Sequence, residues 1–177
     1  MTTLTLAPFT TYDWGAIFAL VVAYVAWRAR WLRLSGALAA FAIGTAVFGS
    51  GTWPFALVLL TFFVTGTLLG RLRKDPGAES ADVGKQGARD GAQVLANGAV
   101  AAICALAAHF ARGDHAVAAW QAAFAGAFAA ATADTWATEI GTRFGGRPYH
   151  LLTLRPLAVG ISGGITLLGS LGAVAGA

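Results

Sequence analysis

The sequence predicts an all-α fold, a bundle of about six transmembrane helices that forms one integral membrane domain over residues 1–177. Hydrophobic residues make up 57% of the chain, charged residues only 11%, and the mean hydropathy is +0.67. Soluble domains are about a quarter charged. A charge at the bilayer centre costs roughly 2.5–3.5 kcal/mol on insertion scales, so spans carry few charges. Because about 20 apolar residues cross a bilayer, a chain of 177 residues accommodates five or six spans.

Six apolar runs define the expected spans. Trp14 and Trp27 flank the first run, where aromatic side chains anchor a helix at the membrane surface. The second run is rich in small residues, which allow membrane helices to approach closely. Pro54 precedes the third run and suits the first turn of a helix. The runs cover residues 14–27, 35–49, 55–69, 94–110, 117–133 and a stretch that begins near residue 157. No charge or anchor closes the last run, so we expect a chain that is shortened at its C-terminus.

The basic residues predict the orientation of the bundle. Eleven of the twelve Lys and Arg residues lie in the loops that follow the first, third and fifth runs, and only Arg112 lies elsewhere. These three loops share one face, which the positive-inside rule places in the cytoplasm, with the N-terminus outside. We expect a multi-pass protein of the inner cell membrane, with a cytoplasmic loop at about residues 70–86. Basic residues placed in this way give no reason to expect a nucleic-acid partner.

A dense polar segment lies between the third and fourth runs. Nine of the twenty charged residues (12 basic and 8 acidic) fall between Arg71 and Asp90. If a helix begins near residues 83–86, one face about 100° wide collects Gln86, Arg89, Asp90, Gln93 and Asn97. Polar groups inside a span need partners and usually face the bundle interior. This face indicates either a functional site or a row of polar side chains that only links neighbouring helices through hydrogen bonds.

Gly84, Lys85 and Gly87 indicate phosphate binding near the start of this helix. The segment is not a Walker A motif, because Gln86 follows Lys85 where that motif needs Ser or Thr. Glycines and a helix N-terminus nevertheless expose backbone N–H groups that suit an anion, and Lys85 adds a positive charge.

Two carboxylates near the end of the fifth run form a second candidate site. Asp134 and Glu139 lie near the helix C-terminus, where they oppose the macrodipole. They are about 140° apart on an ideal helix, so either the helix breaks near Ala137 or only one of them is a metal ligand. Mg²⁺ takes one or two carboxylates together with substrate phosphates. The structural alternative is that both are solvated acids paired with Arg143 or Arg147.

Three segments resemble a known family. They are GRLRKDPGAESADVGKQGARDGAQVLANG, ATADTWATEIG and RPLAVGISGGITLLGSLG, within residues 69–172. They resemble the integral membrane family that includes transmembrane protein nineteen and plant phytyl-phosphate kinase. The resemblance implies a membrane enzyme that transfers a phosphoryl group from a nucleoside triphosphate, such as CTP, to an isoprenoid monophosphate, giving the diphosphate. Family members usually continue past the sixth span with another acidic segment that contains glutamine, which this chain lacks.

By match of motif, the resemblance and the residue patterns together give the expected site. The expected catalytic residues are Lys85, Arg89, Asp90, Asp134 and Glu139. The expected Mg²⁺ ligands are Asp90, Asp134 and Glu139. The expected substrate- and phosphate-binding residues are Gly84, Lys85, Gly87, Arg89, Gln93, Asn97, Thr135, Ser162 and Gly163.

Two other functions remain open from the sequence. A transporter or lipid-moving protein also places charges at membrane depth, but it normally has a polar pathway that reaches both faces. Here the polar residues cluster on one side. A non-catalytic membrane assembly factor is the second alternative, since an absent final segment would leave an active site incomplete.

Overall fold

Six α-helices run through the described residues and confirm the all-α fold class. The structure is a computed structural model that describes residues 10–50, 53–71, 87–159, 161 and 163–177. The helices are α1 Thr11–Arg28, α2 Leu34–Gly49, α3 Trp53–Arg71, α4 Gly91–Phe110, α5 Asp114–Phe144 and α6 Leu167–Gly176. A short antiparallel hairpin between α5 and α6 joins β1 Tyr149–His150 to β2 Gly164–Ile165.

Three of the helices in the described part of the chain, α3, α4 and α5, are long and apolar enough to cross a membrane. The helices α2 and α6 are also apolar but have only 16 and 10 residues. At about 1.5 Å per residue, α6 covers roughly half of a 30 Å hydrocarbon core. Many large apolar side chains are exposed, including Trp53 at 77% and Val174 at 77%, as lipid-facing surfaces require.

The helices alternate in direction along the chain. The helices α1 and α2 are antiparallel, since Gly15 packs against Gly49 and Gly44 packs against Ala19. The helices α3 and α5 are parallel. Near their N-termini Phe55 of α3 stacks on Phe124 of α5, and near their C-termini Arg143 of α5 donates a hydrogen bond to the Gly70 carbonyl of α3. One end of the bundle, which we call the basic end, therefore collects Arg28, Arg30, Arg33, Arg71, Arg89 and Arg143. Which side of the membrane the basic end faces stays a prediction.

The core lies between α2, α3, α4 and α5. Phe124 and Phe128 of α5 are each 1% exposed, and Phe55 stacks on Phe124 with ring centroids 3.9 Å apart. Small residues bring α4 close to α2, because a Cβ at Gly98 would lie 2.9 Å from the Ile43 side chain. This packing places the N-terminus of α4 beside the first turn of α2.

The helix expected to begin near residues 83–86 begins instead at Gly91. The Asp90 side chain accepts a hydrogen bond from the Gln93 backbone N–H, and the Gln93 side chain accepts one from the Asp90 N–H, each at 3.0 Å. This capping box satisfies two backbone donors and starts the helix there. Arg89 is extended: its N–H donates to the Trp31 carbonyl, and its own carbonyl accepts from Arg33. The prediction that Arg89 and Asp90 lie on one helical face with Gln93 and Asn97 was therefore wrong, because both precede the helix. Gln86, the fifth residue of that face, lies outside the described residues.

The fifth and sixth helices also differ from the expected bounds. The fifth run was expected to end near residue 133, but α5 continues to Phe144 without a break at Ala137. The sixth helix was expected to begin near residue 157 and begins at Leu167. The Thr166 side chain caps α6 by accepting a hydrogen bond from the Gly169 N–H at 3.0 Å. The residues directly before it, Gly164 and Ile165, belong to the hairpin strand β2.

Candidate functional site

The guanidinium of Arg89 lies between α3 and α5 at the basic end. A Cβ on Gly66 of α3 would stand 2.9 Å from Arg89 Nη2 and 3.2 Å from Thr135 Cγ2 of α5. Gly66 therefore leaves the space that the guanidinium occupies. Burial lowers the pKa of Arg89, and the charge of nearby Glu139 raises it. Because a guanidinium is a very strong base, Arg89 remains a cation at neutral pH.

Glu139 lies between two guanidinium groups. It forms an ion pair with Arg143, one turn further along α5, and it interacts electrostatically with Arg89. Arg143 also donates to the last carbonyls of α3, through Nη1 to Leu69 and through Nη2 to Gly70 at 2.8 Å. Such carbonyls have no partner inside their own helix. Arg143 thus caps α3 and clamps it to α5 beside the Arg89 side chain.

An apolar cavity of about 60 Å³ borders the Arg89 side chain. Arg89 and Asn97 supply the polar side chains of its wall, and the rest is apolar, including Ile43, Phe62, Val94 and Phe128. For comparison, an engineered apolar cavity of about 150 Å³ binds benzene. This cavity is therefore too small for an isoprenoid chain, and it gives the Arg89 side chain an apolar, low-dielectric wall.

The structure brings Arg89, Thr135 and Glu139 together, and it places Asn97 on the adjoining cavity. Asp90 and Gln93 are engaged with each other in the capping box. Gly87 lies near the Arg33 side chain, whose Nη2 would be 3.9 Å from a Cβ at residue 87.

The remaining predicted residues lie elsewhere. Gly163 has a φ of +82° and packs near the ring of His150 in the hairpin. Asp134 is exposed and has no hydrogen-bond or ion-pair partner in the described ranges. Gly84, Lys85 and Ser162 fall outside the described residues.

Asp90, Asp134 and Glu139 do not form a single metal centre. Within the described part of the chain, no group of three His, Cys, Asp or Glu residues could hold one ion. Since α5 is continuous, Asp134 and Glu139 point in directions about 140° apart. Glu139 is paired with Arg143, whereas Asp134 is the carboxylate left available. One carboxylate with phosphate oxygens is still a ligand set that Mg²⁺ accepts.

Sequence reasoning missed the residues that build the walls of the site. Gly66 gave no signal, because a glycine in a membrane helix usually indicates helix packing. Arg71 was assigned only to a polar loop, yet its Nη2 donates to the Ala29 carbonyl at 3.0 Å and its guanidinium lies 5.2 Å from the Trp31 ring centre. The Glu139–Arg143 pair was not missed: it is the structural alternative that the sequence offered, and it is confirmed for Glu139, which lies four residues before Arg143 on one helix face.

Comparisons with known proteins agree with this membrane architecture. Protein PGR of Arabidopsis thaliana is 28% identical over 181 aligned residues, which cover 94% of this chain and 62% of PGR. An uncharacterized membrane protein of Methanocaldococcus jannaschii is 28% identical over 89% of this chain and 63% of its own length. An uncharacterized membrane protein of Synechocystis is 28% identical over 75% of this chain and 51% of its own length.

The chain thus spans between about half and under two thirds of the length of these curated relatives. No solved structure matches it. A family model described as integral membrane protein DUF92 matches residues 17–177, nearly the whole chain. The chain therefore belongs to the DUF92 family of integral membrane proteins.

Proposed function

We propose that this protein is a membrane-embedded kinase that transfers a phosphoryl group from a nucleoside triphosphate, such as CTP, to an isoprenoid monophosphate, such as phytyl phosphate. The observation that carries the proposal is the Arg89 guanidinium, held between two membrane-crossing helices and bordered by an apolar cavity. A fixed cation among lipid-facing helices suits a ligand with an anionic head and an apolar tail. The motif resemblance to the family of phytyl-phosphate kinase supports the same class of ligand.

The proposed reaction needs a nucleophile and a leaving group that the two substrates supply. A phosphate oxygen of the isoprenoid monophosphate attacks the γ-phosphorus of the nucleoside triphosphate. A new P–O bond forms as the bond between the γ-phosphorus and the β–γ bridging oxygen breaks, and the nucleoside diphosphate leaves with that electron pair. Little covalent chemistry falls to the protein, so positioning and charge stabilisation supply most of the catalysis.

Arg89 is the residue that we assign to the phosphate of the isoprenoid. The backbone of Arg89 is held by hydrogen bonds to the turn between α1 and α2. Its guanidinium lies in the space beside Gly66 of α3 and Thr135 of α5. Glu139 balances the charge of Arg89 before substrate arrives. An incoming phosphate replaces a carboxylate with a more highly charged acceptor, which a planar guanidinium can bind through two N–H groups.

The nucleoside triphosphate is assigned to the segment before α4. Gly84 and Lys85 precede Gly87, where the exposed backbone and the Arg33 side chain lie next to each other. When bound, Mg²⁺ would neutralise charge on the phosphates of the nucleotide. Asp134 is the carboxylate that would contribute a ligand, because Glu139 and Asp90 are already engaged.

The test is a transfer assay on the full chain in lipid nanodiscs. CTP or ATP labelled in the γ-phosphate is incubated with phytyl, geranylgeranyl or farnesyl monophosphate, and labelled diphosphate is quantified. We expect Arg89→Gln to lower kcat/KM by about 100-fold or more, the effect of removing a group that stabilises transition-state charge. Arg112→Gln, a change of the same kind at the opposite end of the bundle, is the matched control.

Three outcomes separate the functions. Labelled diphosphate that depends on Arg89 but not on Arg112 supports the kinase. Movement of the lipid phosphate between leaflets without transfer of label supports a transporter and overturns the proposal. Neither activity in folded protein supports an assembly factor and overturns it as well.

A further inference from the structure

The turn between β1 and Pro156 is a defined structure held by its own hydrogen bonds. The His150 side chain accepts through Nδ1 from the Leu152 and Thr153 N–H groups, at 3.3 and 3.2 Å. The His150 backbone N–H donates to the Arg155 carbonyl at 2.8 Å, and the Leu154 N–H donates to the His150 carbonyl at 2.9 Å. We call residues 150–155 the leucine turn. The backbone N–H groups of residues 150 to 154 each have a hydrogen-bond partner, so few backbone donors are left unsatisfied if the segment leaves water.

The leucine turn exposes its apolar side chains. Leu151, Leu152 and Leu154 are 60%, 84% and 71% exposed. Val159 and Ile161, later in the same connection, are each about half exposed. Burying one such side chain contributes about 1.5–3 kcal/mol. Three neighbouring exposed leucines therefore indicate a surface that is in contact with lipid or with another molecule in the functional protein.

The position and charge of the leucine turn indicate what covers it. It follows the C-terminus of α5 and precedes the N-terminus of α6, so it lies at the basic end beside membrane-crossing helices. Arg147 and Arg155 flank it, and both are exposed. From residue 140 to residue 177 the sequence contains three arginines and no Asp or Glu. Apolar residues flanked by unopposed cations are the pattern that binds the boundary between anionic headgroups and acyl chains.

We propose that the leucine turn inserts into the headgroup–acyl boundary of the leaflet at the basic end, with Arg147 and Arg155 on anionic lipid phosphates. The hairpin is tied to the bundle, because α6 packs along α5 with Gly169 and Gly172 in close backbone contact. The turn is therefore a fixed lipid anchor for the connection between the two helices. This inference does not depend on phosphoryl transfer.

The test measures the depth of residue 152 in a bilayer. Leu152→Cys is labelled with an environment-sensitive fluorophore on the full chain, since the native Cys104 is buried. The protein is reconstituted into vesicles of phosphatidylcholine with or without phosphatidylglycerol, with nitroxides at the headgroup or on a shallow acyl carbon. The matched control is Asp114→Cys, an exposed position at the first turn of α5 on the opposite end.

We expect a blue-shifted emission from residue 152 and about twofold stronger quenching by the acyl nitroxide than at residue 114. In the Arg147→Gln, Arg155→Gln double variant, we expect the added quenching caused by phosphatidylglycerol to be lost. Water-like emission with free access to aqueous iodide would overturn the proposal. Blue-shifted emission that no lipid nitroxide quenches would also overturn it, because a protein surface, such as a second copy of the chain, would then cover the turn.

Discussion

Gly36 and Arg89 are in direct backbone contact, so close that a Cβ at residue 36 would overlap the Arg89 carbonyl oxygen. Next to this contact, the Gly91 N–H donates to Ser35 Oγ at 3.2 Å. The first turn of α2 therefore fixes the extended segment that leads into α4. A helix that supplies no reactive group thus determines where the Arg89 guanidinium lies.

Replacement of Gly36 by alanine tests this contact. We expect Gly36→Ala to destabilise the protein by about 1–3 kcal/mol, because the added methyl group has to displace backbone rather than a flexible side chain. Thermal unfolding in detergent measures the change. Gly126→Ala is the matched control, since a Cβ at residue 126 meets no atom within 4 Å. The control is expected to gain up to about 1 kcal/mol from helix propensity. Equal effects of the two substitutions would contradict the contact.

Substitutions of Asp90 test its role as the cap of α4. Asp90→Ala removes the side-chain acceptor of the capping box, so we expect a loss of about 1 kcal/mol in the free energy of unfolding. Asp90→Ser and Asp90→Asn keep an acceptor and are expected to lose no more than a few tenths. Unfolding experiments on the three variants measure the series. We also expect Asp90→Asn to keep the wild-type Mg²⁺ dependence of kinase activity, because the proposed ligand is Asp134; a raised Mg²⁺ requirement would return Asp90 to the ligands.

A substitution of Glu139 tests the charge cluster between α3 and α5. Glu139→Gln leaves the guanidiniums of Arg89 and Arg143 without their shared carboxylate, so we expect a loss of about 1–3 kcal/mol. Asp134→Asn, on the same helix but without a partner among the described residues, is the control and is expected to change stability by less than about 0.5 kcal/mol. Chemical denaturation in mixed micelles measures both. A loss in Asp134→Asn that equals the loss in Glu139→Gln would show that the ion pair is not the cause.

The same two variants test the assignment of Mg²⁺. We expect Asp134→Asn to raise the Mg²⁺ concentration for half-maximal kinase activity about tenfold, equivalent to about 1.4 kcal/mol of lost binding. We expect Glu139→Gln to leave that concentration unchanged, because Glu139 is paired with Arg143. Activity titrations against Mg²⁺ at fixed nucleotide provide the measurement. If Glu139→Gln raised the required Mg²⁺ concentration and Asp134→Asn did not, Glu139 rather than Asp134 would be the metal ligand.

Composition predicted the fold class because charged side chains are costly in the hydrocarbon core, so helices that cross a membrane are visible as long apolar runs. The five runs that end by residue 133 each correspond to a helix, with starts and ends set by local chemistry. The start of α4 was readable, since Asp90 and Gln93 have the spacing of a capping box, but both were assigned to a polar face. The helix bounds near Phe144 were less readable, because polar residues are compatible with a helix and do not end it.

Tertiary contacts account for what the sequence did not predict. The sequence assigned Leu151 and Leu152 to the loop that follows the fifth run, and composition gave no sign that this loop contains a turn held by the His150 side chain. The space for the Arg89 side chain depends on Gly66, which lies on another helix and far away in sequence. The periodicity of apolar residues within one helix cannot predict a contact with a distant helix. The candidate residues were therefore chosen by chemical type, while their grouping required the packed structure.

The length of α5 determines how deep the site lies. Its 31 residues give a helix of about 46 Å, against a hydrocarbon core of about 30 Å. To fit entirely within that core, α5 would have to tilt by about 50°, beyond the 0–40° seen for membrane helices. The helix therefore projects beyond the core, and its polar part, with Glu139 and Arg143, lies among the headgroups at the basic end. Arg89 lies against Thr135 and interacts with Glu139, so it is beside this polar part and not at the middle of the helix. An anionic ligand can therefore approach Arg89 from the headgroup side without crossing the hydrocarbon.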